Sequence, residues 1–294
     1  MAFLYEVPDY KKVRVIVDTD AACEADDPFA IAHALLSPKM IVKAIVAEHF
    51  AVEGSMERSY RAMQTLVDKM GVEANLLRGE EYPLEEKEVS EGVQFIIDEA
   101  RREDDHPLFV LCLGALSNIA RALRLAPDIA PRMTVVTIGG QSYHTLGAPY
   151  REFNFGNDVR AANEVLASAV PLWQIPNSAY GSIRVGLAEL QQKVYPMGEA
   201  GKYLFEQMVE YNLGPNAHWT PGESWSLGDS PAVAMVLDPS AGTKVSRPAP
   251  IVLEDTSYKE NPDGRTIQVF EHVDSRFVLE DFFAKLALFA QDGK

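Results

Sequence analysis

The sequence predicts an α/β fold, a mostly parallel central sheet with helices on both faces, and three observations predict it. First, short apolar runs rich in β-branched residues recur: VRVIV at 13–17, MIVKAIVA from Met40, LFVLCL at 108–113 and MTVVTI at 133–138. Runs apolar at nearly every position suit strands covered on both sides, which is how parallel sheets are buried. Second, segments of helical period separate these runs, so strand and helix alternate through the first half as crossover connections require. Third, no internal repeat and no low-complexity linker divides the chain, so residues 1–294 read as one domain.

Taken in order, VRVIV is followed by five acidic residues within ten positions: Asp18, Asp20, Glu24, Asp26 and Asp27. If the strand continues, its side-chain period of two sends Asp18 and Asp20 to the same side. Asp27 then caps a helix with Pro28 at its first position and FAIAHALL as a buried run. MIVKAIVAEHF is a second strand. The spacing of Met56, Tyr60, Met63, Val67 and Met70 marks a helix closed by Gly71, its apolar stripe belonging to the core. EEYPLEEKEVSE (80–91) is a charged surface loop, with Ser90 capping a helix that carries Val93, Ile96, Ile97 and Ala100.

LFVLCL and Gly114 lead into a helix from Ser117 to Leu125, and MTVVTI ends at Gly139-Gly140. The stretch 141–157 is a long polar and aromatic loop, of the kind that carries function. A helix over 159–169 and the strand LWQIP (172–176) follow. Residues 181–228 form a helical and Pro/Gly/Trp-rich insertion. SPAVAMVL after Asp229 is an apolar helix, and APIVLE and RTIQVFEHV predict a C-terminal hairpin turned by ENPDG. FVLEDFFAKLALFA is an amphipathic closing helix.

Composition excludes several classes of function. A formal net charge of −16 argues against nucleic acid or anionic membrane as partner, since phosphate binding wants clustered Lys and Arg. Two cysteines, Cys23 and Cys112, make neither a disulfide framework nor a thiolate zinc site. The opening MAFLYEVPDYKK lacks a signal-peptide pattern, and no run reaches the length of a membrane helix, so a cytoplasmic location is expected.

A single carboxylate at a helix start needs only capping to explain it. Aspartates converging on one strand-to-helix loop would repel and raise one another's pKa values, and a bound Ca²⁺ or Mg²⁺ removes that penalty. Parallel sheets also place ligand sites beyond the carboxyl ends of their strands, where these residues lie.

The opening segment DTD-AACEA-DD resembles the DTDxGxDD motif of the inosine–uridine type nucleoside hydrolases, with two extra residues and no glycine. LGALSNIARAL (113–123) is similar to that family's GGLTNIA, REFNFGNDVRAANEVL (151–166) to EFNxxxDPEAAxxVL, and WSLGDSPAVAMVLDP (225–239) to HDPxAVAYxxDP. On the residues alone, Ser117, Asp158 and Asp229 are helix caps, and Glu152 and Asn154, two apart, share a face if extended. The resemblance implies a Rossmann-like nucleoside hydrolase fold, a homo-oligomer and a ribonucleoside or related N-riboside substrate. It implies Ca²⁺ held by Asp20, Asp27, Asp229 and the Leu113 carbonyl, with Asp18 supporting from behind. Asp20 becomes the base that takes a proton from water, and Asp26, Glu152, Asn154 and Asp229 the sugar contacts.

Departures from the family pattern concern the leaving base. Gly228 stands where the family has the His linked to protonating the base, Leu146 where relatives can have a ribose-binding Asn, and AEHF where they have Gly-Asn. His49, His144 and His218 are candidate leaving-group acids or base contacts, with Phe50 beside His49. Trp219 and Trp225 can stack on a base or form a hydrophobic lid. Two rival functions use the same residues: a phosphatase of the haloacid dehalogenase type, through Asp18-Thr19-Asp20 and Gly228-Asp229, and a nucleoside or ribose binder without turnover. For the phosphatase, Ala21 stands where Thr or Val is needed, and Asp26, Asp27 and the EFN segment have no task. A structural or interaction protein leaves the carboxylate cluster unexplained.

Overall fold

The computed structural model describes residues 3–84, 88–145, 147–291 and 293. Its frame is built from β1 (Val13–Thr19), α1 (Asp27–Leu35), β2 (Met40–Ala47), α2 (Ser55–Met70), β3 (Leu76–Arg78), α3 (Glu91–Arg101), β4 (Leu108–Cys112), α4 (Ser117–Leu125) and β5 (Met133–Ile138). A short helix, α5 (Phe153–Asn157), precedes α6 (Val159–Ala167) and β6 (Leu172–Ile175). Then come α7 (Asn177–Tyr180), β7 (Arg184–Gly186), α8 (Leu187–Lys193), α9 (Gly198–Asn212), β8 (Ser224–Ser226) and α10 (Ser230–Leu237). The chain closes with β9 (Gly242–Pro248), β10 (Ile251–Val252), β11 (Tyr258–Lys259), β12 (Thr266–Val273) and α11 (Ser275–Gln291).

Eight strands form one sheet in the order β3-β2-β1-β4-β5-β6-β12-β9. All neighbours are parallel except β9, which runs antiparallel to β12 at the edge. β1 shows why its valines and isoleucine leave no polar face. Val13, Val15 and Val17 pack into the core shared with α1, α2, α10 and α11, while Ile16 packs with α3, α4 and α6 on the other face. Both faces are therefore covered by helices, as parallel sheets require.

The expected elements recur, with corrections at their ends and at the C-terminal hairpin. Residues 266–273 pair with 242–248 rather than with APIVLE; Ile251 and Val252 pair instead with Tyr258 and Lys259 in a separate two-stranded ribbon. The insertion 181–228 also holds a ribbon, Arg184–Gly186 against Ser224–Ser226, beside its helices. The cap of Ser90 forms as expected, through Val93 N–H.

Neither Asp27 nor Ser117 caps a helix. Each is the first helical residue, and each spends its side chain elsewhere. Among the described residues no helix is long and apolar enough to cross a membrane. The strands β1, β4 and β5 all end at the same rim, and the functional side chains gather beyond it.

Candidate active site

Beyond that rim lies a cavity of about 820 Å³, a size typical of small-molecule sites. Asp20, Asp26, Asp27, Leu113, Asn154 and Asp229 line it together, although they come from four separate segments. Asp20 follows β1, Asp26 and Asp27 open α1, Leu113 follows β4, and Asp229 precedes α10. Asp229 flanks its helix without a side-chain cap bond, so capping does not account for it.

Carboxylate oxygens of Asp26, Asp27 and Asp229 lie within 4.8 Å of one another, and all three residues are buried. A hydrogen bond links the Asp27 and Asp229 side chains, and Thr19 donates its hydroxyl to Asp27. Asp20 stands beside them with its Oδ2 buried and without a hydrogen-bond partner. Burial, then the charges of Asp27, Glu24 and Asp26, pushes Asp20 well above the ordinary carboxylate range. Asp229 is raised in the same way by burial and by Asp26, Asp27 and Asp20, and Asp26 by burial, Glu24 and Asp27. Asp27 is pushed up to about 6 by burial, the Thr19 hydroxyl opposing the shift. Among the described lining residues the basic side chains are Arg151 and Arg184, both exposed, and there is no lysine or histidine.

Leu113 lines the same cavity, held there by the main chain. Leu113 N–H donates to the carbonyl of Asp18 at 2.8 Å, continuing the β1–β4 ladder one residue past its end. A Cβ at Gly114 would lie 2.7 Å from Cγ and Oδ1 of Asp20, so a side chain there would push the Asp20 carboxylate aside. The donor set is thus all oxygen, which suits a hard cation such as Ca²⁺ or Mg²⁺.

Asp18 and Asp20 part company. The strand ends at Thr19, so its alternation does not extend to Asp20. Asp18 turns into the layer under α4, where its Oδ1 accepts from Asn118 Nδ2 at 2.8 Å and burial pushes it up to about 7. Asn118 N–H also donates to Glu48 Oε2 at 3.1 Å.

His49 belongs to this buried layer and is not on the cavity wall. Its Nδ1 accepts from Ala51 N–H, so its Nε2 must carry the proton and donates to Ser117 Oγ at 2.8 Å. Ser117 in turn donates to Asp158 Oδ2 at 2.7 Å, and Asp158 Oδ1 caps α6 through Ala161 N–H. Burial drives His49 down to about 4, which makes it a neutral structural donor.

Glu152 departs from the expected extended segment. It is the N-cap of α5, accepting from the N–H groups of Asn154 and Phe155, and its Oε1 also accepts the Tyr180 hydroxyl at 3.0 Å. Fully buried, it holds the turn that presents Asn154 and is not itself on the cavity wall. His144 is exposed and faces Glu271 at 3.4 Å, and the exposed His218 lies off the wall. Trp219 and Trp225 do line the cavity. Leu146 lies outside the described residues.

Three wall residues carried no signal strong enough to be singled out. Tyr180 and Tyr211 reach the cavity from α7 and α9, distant in sequence from the acidic loop. Glu24 stood in the acidic run without a task, and here it joins the wall.

A family model described as Inosine-uridine preferring nucleoside hydrolase matches residues 15–280. An inosine-uridine preferring nucleoside hydrolase of Leishmania major is 31% identical over 180 residues, covering 58% of this chain and 55% of that protein. A putative pyrimidine-specific ribonucleoside hydrolase, RihB, of Shigella boydii is 36% identical over 149 residues, covering 49% of this chain and 57% of that protein. The chain therefore spans about half the length of these sequence relatives. A purine-preferring ribonucleoside hydrolase from Gardnerella vaginalis shares the fold, with a TM-score of 0.76 and 24% identity, over 95% of this chain and 99% of that one.

Proposed function

The chain belongs to the inosine-uridine preferring nucleoside hydrolase family, and on that premise we propose that it hydrolyses the N-glycosidic bond of a ribonucleoside or related N-riboside, releasing the base and ribose. The observation that carries the reading is the convergence of Asp26, Asp27 and Asp229 beside the unpartnered Asp20 oxygen at the head of the sheet.

These residues fit a calcium ion. Buried carboxylates that repel one another, with no buried basic side chain among the described lining residues, call for a cation, and their oxygens suit a hard one. Asp20, Asp27, Asp229 and the Leu113 carbonyl would hold it, with Asp26 at its edge toward the sugar. Calcium supplies positive charge that makes a neighbouring water more acidic.

The protein's own groups do the rest. Asp20 accepts the proton of the attacking water. The water oxygen bonds to the anomeric carbon as the C–N bond breaks and the sugar takes on oxocarbenium character. Asp26 and Asp229 offset that developing charge and accept sugar hydroxyls. Asn154 donates both amide bonds to backbone carbonyls, those of Leu113 and Ile138, so its Oδ1 is what it offers the sugar.

A reducing-sugar assay over purine and pyrimidine nucleosides, with and without chelator, tests this reading. Ribose release should vanish with chelator, return with calcium, and fall about 100- to 10,000-fold in Asp20→Asn. Calorimetric ribose binding without sugar release from any nucleoside would leave a binder without turnover. Full activity in Asp20→Asn would remove Asp20 from the proton transfer.

A further inference from the structure

Two arginines line the cavity alongside the acids, and nothing in the proposed hydrolysis uses them. Arg151 immediately precedes Glu152, Arg184 opens β7, and both side chains are exposed at the cavity's mouth. The chain holds 43 acidic residues against 27 lysines and arginines, and exposed arginines elsewhere find an acid. Arg78 lies 2.8 Å from Glu57, Arg101 2.8 Å from Asp128 and Arg132 3.0 Å from Glu103. Among the described residues neither Arg151 nor Arg184 has a carboxylate partner.

Arg151 is nonetheless held in place. Its Nε donates to the Glu254 carbonyl at 3.1 Å, and its Nη1 lies against Gly156, where a Cβ would come within 2.7 Å of it. Both arginines stand on segments fastened to α7. Asn177 Nδ2 donates to the Tyr150 hydroxyl at 3.0 Å and Tyr180 donates to Glu152 at 3.0 Å, which fixes the chain on either side of Arg151. Ser226, the β8 partner of Arg184, donates its hydroxyl to the Tyr180 carbonyl at 3.0 Å. One short helix thus anchors the footing of both guanidinium groups.

The sugar and the base are provided for by other residues. Asn154, three residues beyond Arg151, offers its Oδ1 to the sugar, while the aromatic wall, where Tyr211 and Trp225 meet edge to face at 5.4 Å, gives ring surface to a base. Asp26 and Asp229 take the hydroxyls beside the anomeric carbon, which leaves the exocyclic 5′ carbon to reach outward. Guanidinium forks without a counter-ion suit a phosphate.

We infer that the substrate carries a 5′-phosphate, a ribonucleoside monophosphate or related N-riboside phosphate, and that Arg151 and Arg184 bind that phosphate. This rests on the reading of the site as a riboside hydrolase and names its substrate class. The reaction needs water alone. Water oxygen bonds to the anomeric carbon, the C–N pair leaves with the base, and the water proton taken by Asp20 returns through solvent to the base nitrogen. The phosphate ester stays intact, so the products are free base and ribose 5-phosphate.

The test measures base release with calcium present at neutral pH, where the phosphate is mainly dianionic. Uridine 5′-monophosphate is compared with uridine and inosine 5′-monophosphate with inosine, and orotidine serves as a riboside charged on the base alone. Each phosphate should have a kcat/KM about 10- to 100-fold above that of its nucleoside. Arg151→Gln and Arg184→Gln should each cut that ratio about tenfold, and base rather than inorganic phosphate should appear. By calorimetry, ribose 5-phosphate should bind more tightly than ribose by a similar factor, and about 0.5 M salt should weaken the phosphate while sparing ribose. Equal rates within the pairs, a ratio unmoved in both variants, equal binding of the two sugars, or a preference for orotidine over uridine 5′-monophosphate overturns the inference. Base release from nucleosides but not from their phosphates overturns it while leaving the hydrolase reading intact; release from neither overturns both.

Discussion

Asn154 Nδ2 donates to the carbonyl oxygen of Leu113 at 2.6 Å and to that of Ile138 at 2.9 Å, tying the ends of β4 and β5 together under the cavity. One carbonyl lone pair of Leu113 is thereby engaged and its direction fixed, leaving the other free for the proposed cation. Asn154→Asp replaces two donors with an acceptor facing two carbonyl oxygens. Calcium affinity, followed by calorimetry, should fall about 10- to 100-fold, and ribose release with it. Unchanged affinity would separate Asn154 from the cation.

Calcium should also act as a stabiliser. A ligand at a hundred times its Kd adds about 2.7 kcal/mol to a fold that alone binds it. For a chain of this size that corresponds to a rise in Tm of roughly 5–10 °C between chelated and calcium-loaded protein. Asp229→Asn should lose most of that rise, because Asp229 is one of the three carboxylates whose oxygens converge. Scanning calorimetry with and without chelator reads both.

Acid should weaken the fold through His49. Its pKa drops from 6.5 to about 4 on folding, so between those values the unfolded chain binds a proton that the folded chain does not. Stability from this group is complete above pH 6.5 and drains away as the pH falls toward 4, at up to about 1.4 kcal/mol per pH unit. His49→Gln should have a correspondingly flatter urea-denaturation profile across that window. Ser117→Ala strips the acceptor from His49 and a donor from Asp158, and should cost about 1–3 kcal/mol at neutral pH.

Gly228 marks how tightly the aromatic wall meets the acids. A Cβ there would lie 3.1 Å from Tyr180 Cδ2 and 3.2 Å from Asp26 Oδ2, tight enough that one of them must give way by a few tenths of an ångström. Gly228→Ala should reduce kcat/KM about tenfold by displacing a sugar contact, with little change in Tm. Unaltered kinetics would mean that the Tyr180 ring yields without disturbing Asp26.

The parallel frame was readable because β1, β2, β4 and β5 are apolar on both faces, and short runs of that kind belong to strands covered by helices above and below. β9 was not: GTKVSRP is an edge strand, largely exposed, whose Lys, Arg and Ser give no apolar face to recognise. APIVLE looked the better partner for 266–273 because short-range turn chemistry says nothing about which strand reaches the sheet. In the site, the clustered aspartates were legible by their spacing, and the cavity gathers Asp20, Asp26, Asp27 and Asp229. Glu152 was legible only as an acid; its use as a cap depends on α5, a five-residue helix without periodic signal. His49 invited a chemical role because histidine often has one, yet its partners Ser117 and Ala51 become visible only in the folded chain.

The neighbours Leu113 and Gly114 reverse the usual expectation about which positions a sequence can let drift. Leu113 contributes a main-chain oxygen, so another apolar residue of similar bulk would serve. Gly114 contributes nothing but emptiness, and at 2.7 Å from Asp20 any Cβ there would have to displace the carboxylate. In variants of this protein that keep working, the residue with no side chain should be the one that never changes.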